Sequence, residues 1–254
     1  MSDRHIAMWS GPRNISTALM RSFESRPDTF VSDEPLYAHY LKSTNLDHPA
    51  RDQIIREHES DWQIVTRALV GPIPRNKTIW YQKHMAHHLT PEVGRKWIHS
   101  LHNVFLIRQP EDMITSFIKV IPDPRPTDLG LPQQLELFAS LYRRTGKMPI
   151  VIDSRDILLD PHSMLSRLCH ALDIPFTNAM LSWQPGPRDT DGVWGPHWYD
   201  SVYASTSFAP YLPKNERVPS HLAAVLDDCL ALYHQLAQHK LTLPTEHPDA
   251  PDLQ

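Results

Sequence analysis

Five short apolar runs, at residues 6–9, 29–32, 78–82, 104–107 and 149–152, are separated by stretches of helical periodicity. Strand-like and helical segments that alternate in this way predict an α/β fold. Each crossover buries its apolar stripe on a parallel sheet, and helices cover both faces. In such sheets ligands bind beyond the carboxyl ends of the strands. The polar clusters of this sequence fall at those ends: Ser10 to Thr17 after the first run, Asp33-Glu34-Pro35 after the second, Lys83-His84 after the third and Arg108 after the fourth. Pro35 stops a ladder, and Pro110 suits the first turn of a helix.

With 254 residues, 41% of them apolar and 21% charged, the chain can bury one large core. A formal net charge of -4 argues against a broad basic surface, so neither nucleic acid nor an anionic membrane is an expected partner. No stretch approaches the roughly 20 apolar residues of a membrane span. The start, MSDRHIAMWS, has neither a long apolar core nor a small-residue cleavage site, which predicts a cytoplasmic protein.

Further along, apolar spacing predicts a helix over about residues 52–70 and another capped by Asp160 with Pro161 as its first residue. A final helix is predicted to start at a Ser220 cap. Cys169 and Cys229 sit on apolar helical faces and read as buried thiols. Residues 183–213, rich in proline and aromatics, exceed an ordinary connection in length and predict a lid-like insertion. Residues 1–243 read as one domain, and the proline-rich, acidic tail at 244–254 as disordered.

Two segments carry anion-binding chemistry. WSGPRNIST, from Trp9 to Thr17, follows a strand and opens a helix, placing Gly11, Pro12, Arg13, Asn14, Ile15, Ser16 and Thr17 at a helix's positive end. Arg13 can hold a terminal anion with forked hydrogen bonds, and Ser16 and Thr17 add donors. The loop lacks the Walker A arrangement of ATP- and GTP-binding proteins. The second segment is Arg108 with Ser116, eight positions on.

Together these motifs resemble the sulfotransferases that use 3′-phosphoadenosine 5′-phosphosulfate. The loop is similar to that family's P-K-x-G-T-T, and Arg108 with Ser116 to its 3′-phosphate signature. Ser154 to Pro161 is similar to its Y-E-D-L-x-x-D-P run. WSGPR and DEPLYAH further resemble a branch in which some members are fused to aminotransferase-like domains. The resemblance implies a three-layer P-loop-type fold with a mostly parallel five-stranded sheet. It also implies transfer of a sulfuryl group from that nucleotide, as co-substrate and with no metal, to a hydroxyl or amine of a small-molecule acceptor. Arg13 replaces the usual loop lysine and Ile15 the loop glycine; an arginine still clamps an oxyanion but is a poor proton donor.

Four residues are candidates for the chemistry: Arg13, Lys83, and two alternative bases, Glu34 and His84. Tyr37, His39, Trp194, His197 and Trp198 are candidates for the acceptor pocket. His84, His87 and His88 lack the partners of a zinc site, so no metal is expected. Two other readings stay open from the residues: a divergent P-loop kinase using ATP, and a nucleotide-binding module without catalysis. Acceptor identity and oligomeric state are not encoded in any of these motifs.

Overall fold

The computed structural model of the chain describes residues 3–213 and 215–243. Strands β1 (Arg4–Ser10), β2 (Thr29–Asp33), β3 (Ile79–Met85), β4 (His102–Ile107) and β5 (Ile150–Asp153) form one sheet in the order β2-β3-β1-β4-β5. Every pairing is parallel. The expected α/β architecture is the one observed, with the sheet parallel throughout.

Helix α1 (Ser16–Glu24) follows β1, and α2 (Tyr37–Thr44), α3 (Arg51–Glu57) and α4 (Trp62–Leu69) lie between β2 and β3. Helices α5 (Pro110–Phe117) and α6 (Leu131–Thr145) join β4 to β5. After β5 come α7 (Ser154–Leu159), α8 (Pro161–Ala171), the one-turn α9 (Gly195–Trp198) and α10 (Asp200–Tyr203), and α11 (Ala223–Ala237).

Successive strand residues face opposite sides, and both sides are covered. Ile6, Met8, Tyr81 and Leu106 pack with Leu19 and Phe23 of α1 and Leu165 of α8. Ala7, Trp9, Trp80 and Phe105 pack on the other face with Leu137 of α6 and Leu236 of α11. The chain leaves β1 toward β2 and leaves β4 toward β5, so connections diverge from the carboxyl ends of the adjacent β1 and β4. That divergence opens a crevice over the first loop.

Residues 52–70 form two helices rather than one, because His58 is extended (φ -117°, ψ 150°) and Asp61 starts α4 by accepting the Gln63 N–H at 2.8 Å. Ser220 is not the cap of the last helix: residues 220–222 make a 3-10 turn, and α11 starts at Ala223 without a side-chain cap. Asp160 does cap α8, accepting the Ser163 N–H at 3.0 Å. Helices α2 and α6 add to the periodic stretches read from the sequence.

Both cysteines are free and buried, and burial pushes each thiol up to about 11. Among the described residues no helix is long and apolar enough to cross a membrane. The tail at 244–254 lies outside the described residues.

Gly11 is where the first loop passes closest to its neighbours. A Cβ there would stand 2.2 Å from the Leu129 carbonyl oxygen and 2.7 Å from the Met113 methyl. Gly11→Ala is therefore expected to destabilise the fold by about 1–3 kcal/mol, the usual cost of overpacking. A lowered urea midpoint at unchanged slope is the expected result.

Candidate active site

The site begins with a register. Asp33 ends β2 directly opposite Lys83 on β3, and both side chains point to the face that carries Val31 and Tyr81. The Lys83 Nζ donates to Asp33 Oδ1 at 2.8 Å, to Glu34 Oε1 at 2.7 Å and to the Tyr199 hydroxyl at 2.6 Å. These three bonds use every donor an ammonium has. Tyr199 accepts a second bond, from Trp194 Nε1 at 3.0 Å, and donates its own proton to Asp33 at 2.8 Å. The Gly192 N–H adds a third bond to Asp33 at 3.1 Å.

This arrangement divides the two carboxylates. Asp33 is saturated by Lys83, Tyr199 and Gly192, whereas Glu34 has Lys83 as its close partner. Burial pushes the Glu34 carboxyl up, Lys83 opposes that, and the neighbouring Asp33 charge pushes the same way as burial; the net direction is upward. Burial works against the Lys83 charge, but Asp33 and Glu34 outweigh it and hold the ammonium above its ordinary range. Glu34 also has a positive φ of 41°, uncommon for a residue with a side chain. Its N–H donates to the Lys83 carbonyl at 2.9 Å, which pins the bend where the chain leaves the sheet.

His84 is the neighbour of Lys83 and faces the other way. It stacks on Trp9 with centroids 4.4 Å apart, contacts Trp97, and lies 3.3 Å from Gln82 Oε1. Burial lowers it to about 3. The alternation of a strand makes one of these two adjacent residues available to the cavity, and it is Lys83.

At the far side, the two arginines lie together. Arg108 Nη1 donates to the Arg13 carbonyl at 2.7 Å, and Arg13 Nε donates to Ser116 Oγ at 3.0 Å. Arg13 and Arg108 therefore lie at the same end of the cavity. Arg13, at a positive φ of 56°, turns its side chain toward Ser116 on α5. Between this pair and Lys83 lies the start of α1, whose first helical bond is Leu19 N–H to the Ile15 carbonyl. The N–H groups of Ser16, Thr17 and Ala18 precede that bond and have no intrahelical acceptor.

Both ends line one cavity of about 510 Å³. Of the residues anticipated from the sequence, Pro12 through Thr17, Glu34, Tyr37, Lys83, Arg108, Ser116 and Trp198 line it. Gly11, His39, His84, Trp194 and His197 do not. Gly11 lets the loop pass close to Leu129; His39 is buried and bonds the Thr90 hydroxyl; Trp194 is buried behind Tyr199; His197 is exposed. His48, His88 and Tyr199 line the cavity without having been singled out for it. No group of three or more His, Cys, Asp or Glu among the described residues is arranged to hold a metal ion.

The segment anticipated as a lid is stapled to the sheet and to α1. Arg21 pairs with Asp191 at 2.7 Å, Arg188 lies 3.7 Å from Glu24, and Tyr199 is part of the Lys83 cluster.

A sulfotransferase-domain profile matches residues 4–236. The chain belongs to the sulfotransferase domain family. Two solved sulfotransferases share its fold. The domain of the Synechococcus PCC 7002 olefin synthase superposes with a TM-score of 0.58 at 16% identity, covering 96% of this chain and 98% of that one. The sulfotransferase from Alicyclobacillus acidocaldarius superposes with a TM-score of 0.53 at 11% identity, covering 95% and 98%. Among curated proteins, two from Arabidopsis thaliana named branched-chain-amino-acid aminotransferase-like proteins 1 and 2 are similar to this chain, 37% and 35% identical over 234 residues. The match takes 92% of this chain but only 42% and 41% of those proteins, so the chain spans about two-fifths of their length.

Lys83 bonds both the buried Asp33 and the partly buried Glu34, so Lys83→Met should destabilise the protein by about 3–5 kcal/mol, the cost of leaving a buried charge unpaired. Urea unfolding would measure it. Adding Asp33→Asn to that variant should recover part of the loss, and a neutral Lys83→Met would contradict the charge balance described here.

Proposed function

We propose that the cavity binds 3′-phosphoadenosine 5′-phosphosulfate and transfers its sulfuryl group to the hydroxyl or amine of a small acceptor. The observation that carries this is the division of the cavity into two ends. A cluster of Arg108, Arg13 and Ser116 suits the 3′-phosphate, and the Lys83-Glu34 pair at the opposite end suits the reacting sulfuryl group. The start of α1 lies between them, its N–H groups and the hydroxyls of Ser16 and Thr17 facing the 5′-phosphosulfate. In this reading Lys83, rather than Arg13, is the cation at the sulfuryl end, and Glu34, rather than His84, is the base.

In the reaction the acceptor's O–H bond breaks and the proton passes to the Glu34 carboxylate. The acceptor oxygen forms the new bond to sulfur, and the bond from sulfur to the 5′-phosphate oxygen breaks. Its electron pair leaves with that phosphate, as 3′-phosphoadenosine 5′-phosphate. Charge therefore moves onto the leaving phosphate as Glu34 loses its own. A protonated Glu34 holds the Lys83 ammonium less strongly, so an N–H of Lys83 becomes available to the departing oxygen when charge develops there. Positioning and charge stabilisation of this kind supply most of what group transfer requires.

Arg108→Ala should weaken binding of 3′-phosphoadenosine 5′-phosphate by about 1.5–3 kcal/mol, the range for hydrogen bonds to charged groups, with the fold intact. Calorimetry would show it, and unchanged affinity would remove the 3′-phosphate role. Glu34→Gln should lower turnover of the labelled donor by about 10²–10⁴-fold with little change in nucleotide affinity. In the parent enzyme turnover should fall as pH drops through the Glu34 pKa. That pKa is raised, so the limb lies above the ordinary carboxylate range. A flat acidic profile would assign the base elsewhere.

A further inference from the structure

His88 is buried, 2% exposed, and lines the cavity next to Glu34. Its ring is sandwiched between two tyrosines: Tyr37 at a centroid distance of 4.8 Å and 8° from parallel, and Tyr40 at 4.6 Å and 27°. That sandwich fixes the plane of the imidazole. Its Nδ1 has no hydrogen-bond partner, and its Nε2 stands 4.0 Å from Glu34 Oε2. A separation of 4.0 Å is too long for a direct hydrogen bond and is spanned by one oxygen in contact with both atoms. Nε2, not the unpartnered Nδ1, is the ring nitrogen beside the carboxyl, and an oxygen placed between Nε2 and Glu34 would bond to both.

The surroundings constrain what that something is. His87, also without a partner at Nδ1, stands edge-on to Tyr40 at 5.1 Å, and His48 accepts or donates at 2.8 Å to the Tyr37 hydroxyl. Trp198 closes the side nearest His48. Burial disfavours the charged form of all three imidazoles: it lowers His87 to about 3 and carries His88 well below its ordinary value, and His48 moves the same way. The charged groups lining this end are Glu34, Lys83 and the mutually paired Arg125 and Asp128. Lys83 has no donor left for an acceptor carboxylate, and no uncommitted cation faces the box among the described residues.

We infer that His88 is an acceptor-binding residue: its Nε2 and Glu34 hold the acceptor's reacting oxygen between them, and the box of Tyr37, Tyr40, His48 and His87 selects a flat hydroxyl compound with no ionised group beside that oxygen. This rests on the assignment of Glu34 as the base. An anion is excluded because it meets Glu34 with no cation to pair with. A free ammonium is disfavoured because Lys83 already meets the Glu34 charge and opposes a second positive charge beside His88.

The test reads binding rather than turnover. Three probes with the same rings, 2-naphthol, 2-naphthoate and 2-naphthylmethylammonium, are titrated into the intact chain with 3′-phosphoadenosine 5′-phosphate present. Calorimetry gives affinity, and spectra of protein labelled with ¹⁵N-histidine report the ring nitrogens. Naphthol should bind at least tenfold more tightly than either charged probe and should shift the Nε2 signal of His88. His88→Phe, which keeps a ring between the two tyrosines, should retain the thermal midpoint and the nucleotide affinity and lose naphthol affinity about tenfold. His88→Gln, which restores an N–H, should recover most of it. Equal binding of the three probes, no binding of naphthol, an unmoved His88 signal, or full naphthol affinity in His88→Phe would each overturn the inference. If naphthol behaves as described and no sulfuryl group is transferred to it, the functional reading fails while the binding role of His88 stands.

Discussion

One ammonium organises this molecule. Lys83 projects from the middle of a fully buried strand into a region where water cannot solvate it, and two carboxylates and a phenol replace that solvation. The arrangement ties three parts of the chain together: β2 through Asp33, the bend that follows it through Glu34, and the long segment after α8 through Tyr199. The cluster carries one positive and two negative charges, so it is balanced only if one carboxyl binds protons more readily than usual. Asp33 accepts bonds from three donors and Glu34 from one close donor, and it is the Glu34 carboxyl that burial and the Asp33 charge push up. The cluster that pushes the Glu34 carboxyl up also fastens the segment carrying Tyr199 over the sheet.

The opposite end of the cavity is built on weaker and more adaptable contacts. Arg108 and Arg13 hold the loop to α5 through a carbonyl and a hydroxyl, groups an incoming phosphate can replace at modest cost. The two ends differ in rigidity accordingly: a locked, dry cluster where bonds would change, and a semi-exposed basic pair where an anion would dock. The start of α1 bridges them, and its position follows from the divergence of chain paths at β1 and β4.

Much of this was legible in the sequence, and what was missed has identifiable causes. The alternation of apolar runs with helical stretches gives the layers, and the location of Arg108, Lys83 and Glu34 at strand ends places them in one region. Strand periodicity also held a clue that separates Lys83 from His84, since adjacent residues face opposite sides and Lys83 shares the side of Tyr81. The conformation of Arg13 had no local sign, because a positive φ at a non-glycine residue depends on what the loop packs against. Tyr199, His48 and His88 come from segments whose approach to the sheet is a tertiary matter. Tyr199 lies more than 100 positions from Lys83, and no spacing rule connects them. The split of residues 52–70 into two helices turned on Asp61, a cap signal present in the sequence but outweighed by the apolar pattern around it.

The central claim is that one nucleotide spans the cavity from the arginine pair to the lysine. A crystal structure of the chain with 3′-phosphoadenosine 5′-phosphate tests it most directly. The account predicts the 3′-phosphate within hydrogen-bond reach of Arg108 and Ser116, the 5′-phosphate over the first N–H groups of α1, and Lys83 facing the 5′ end. A nucleotide lying in the reverse direction, or bound away from Lys83, would contradict it.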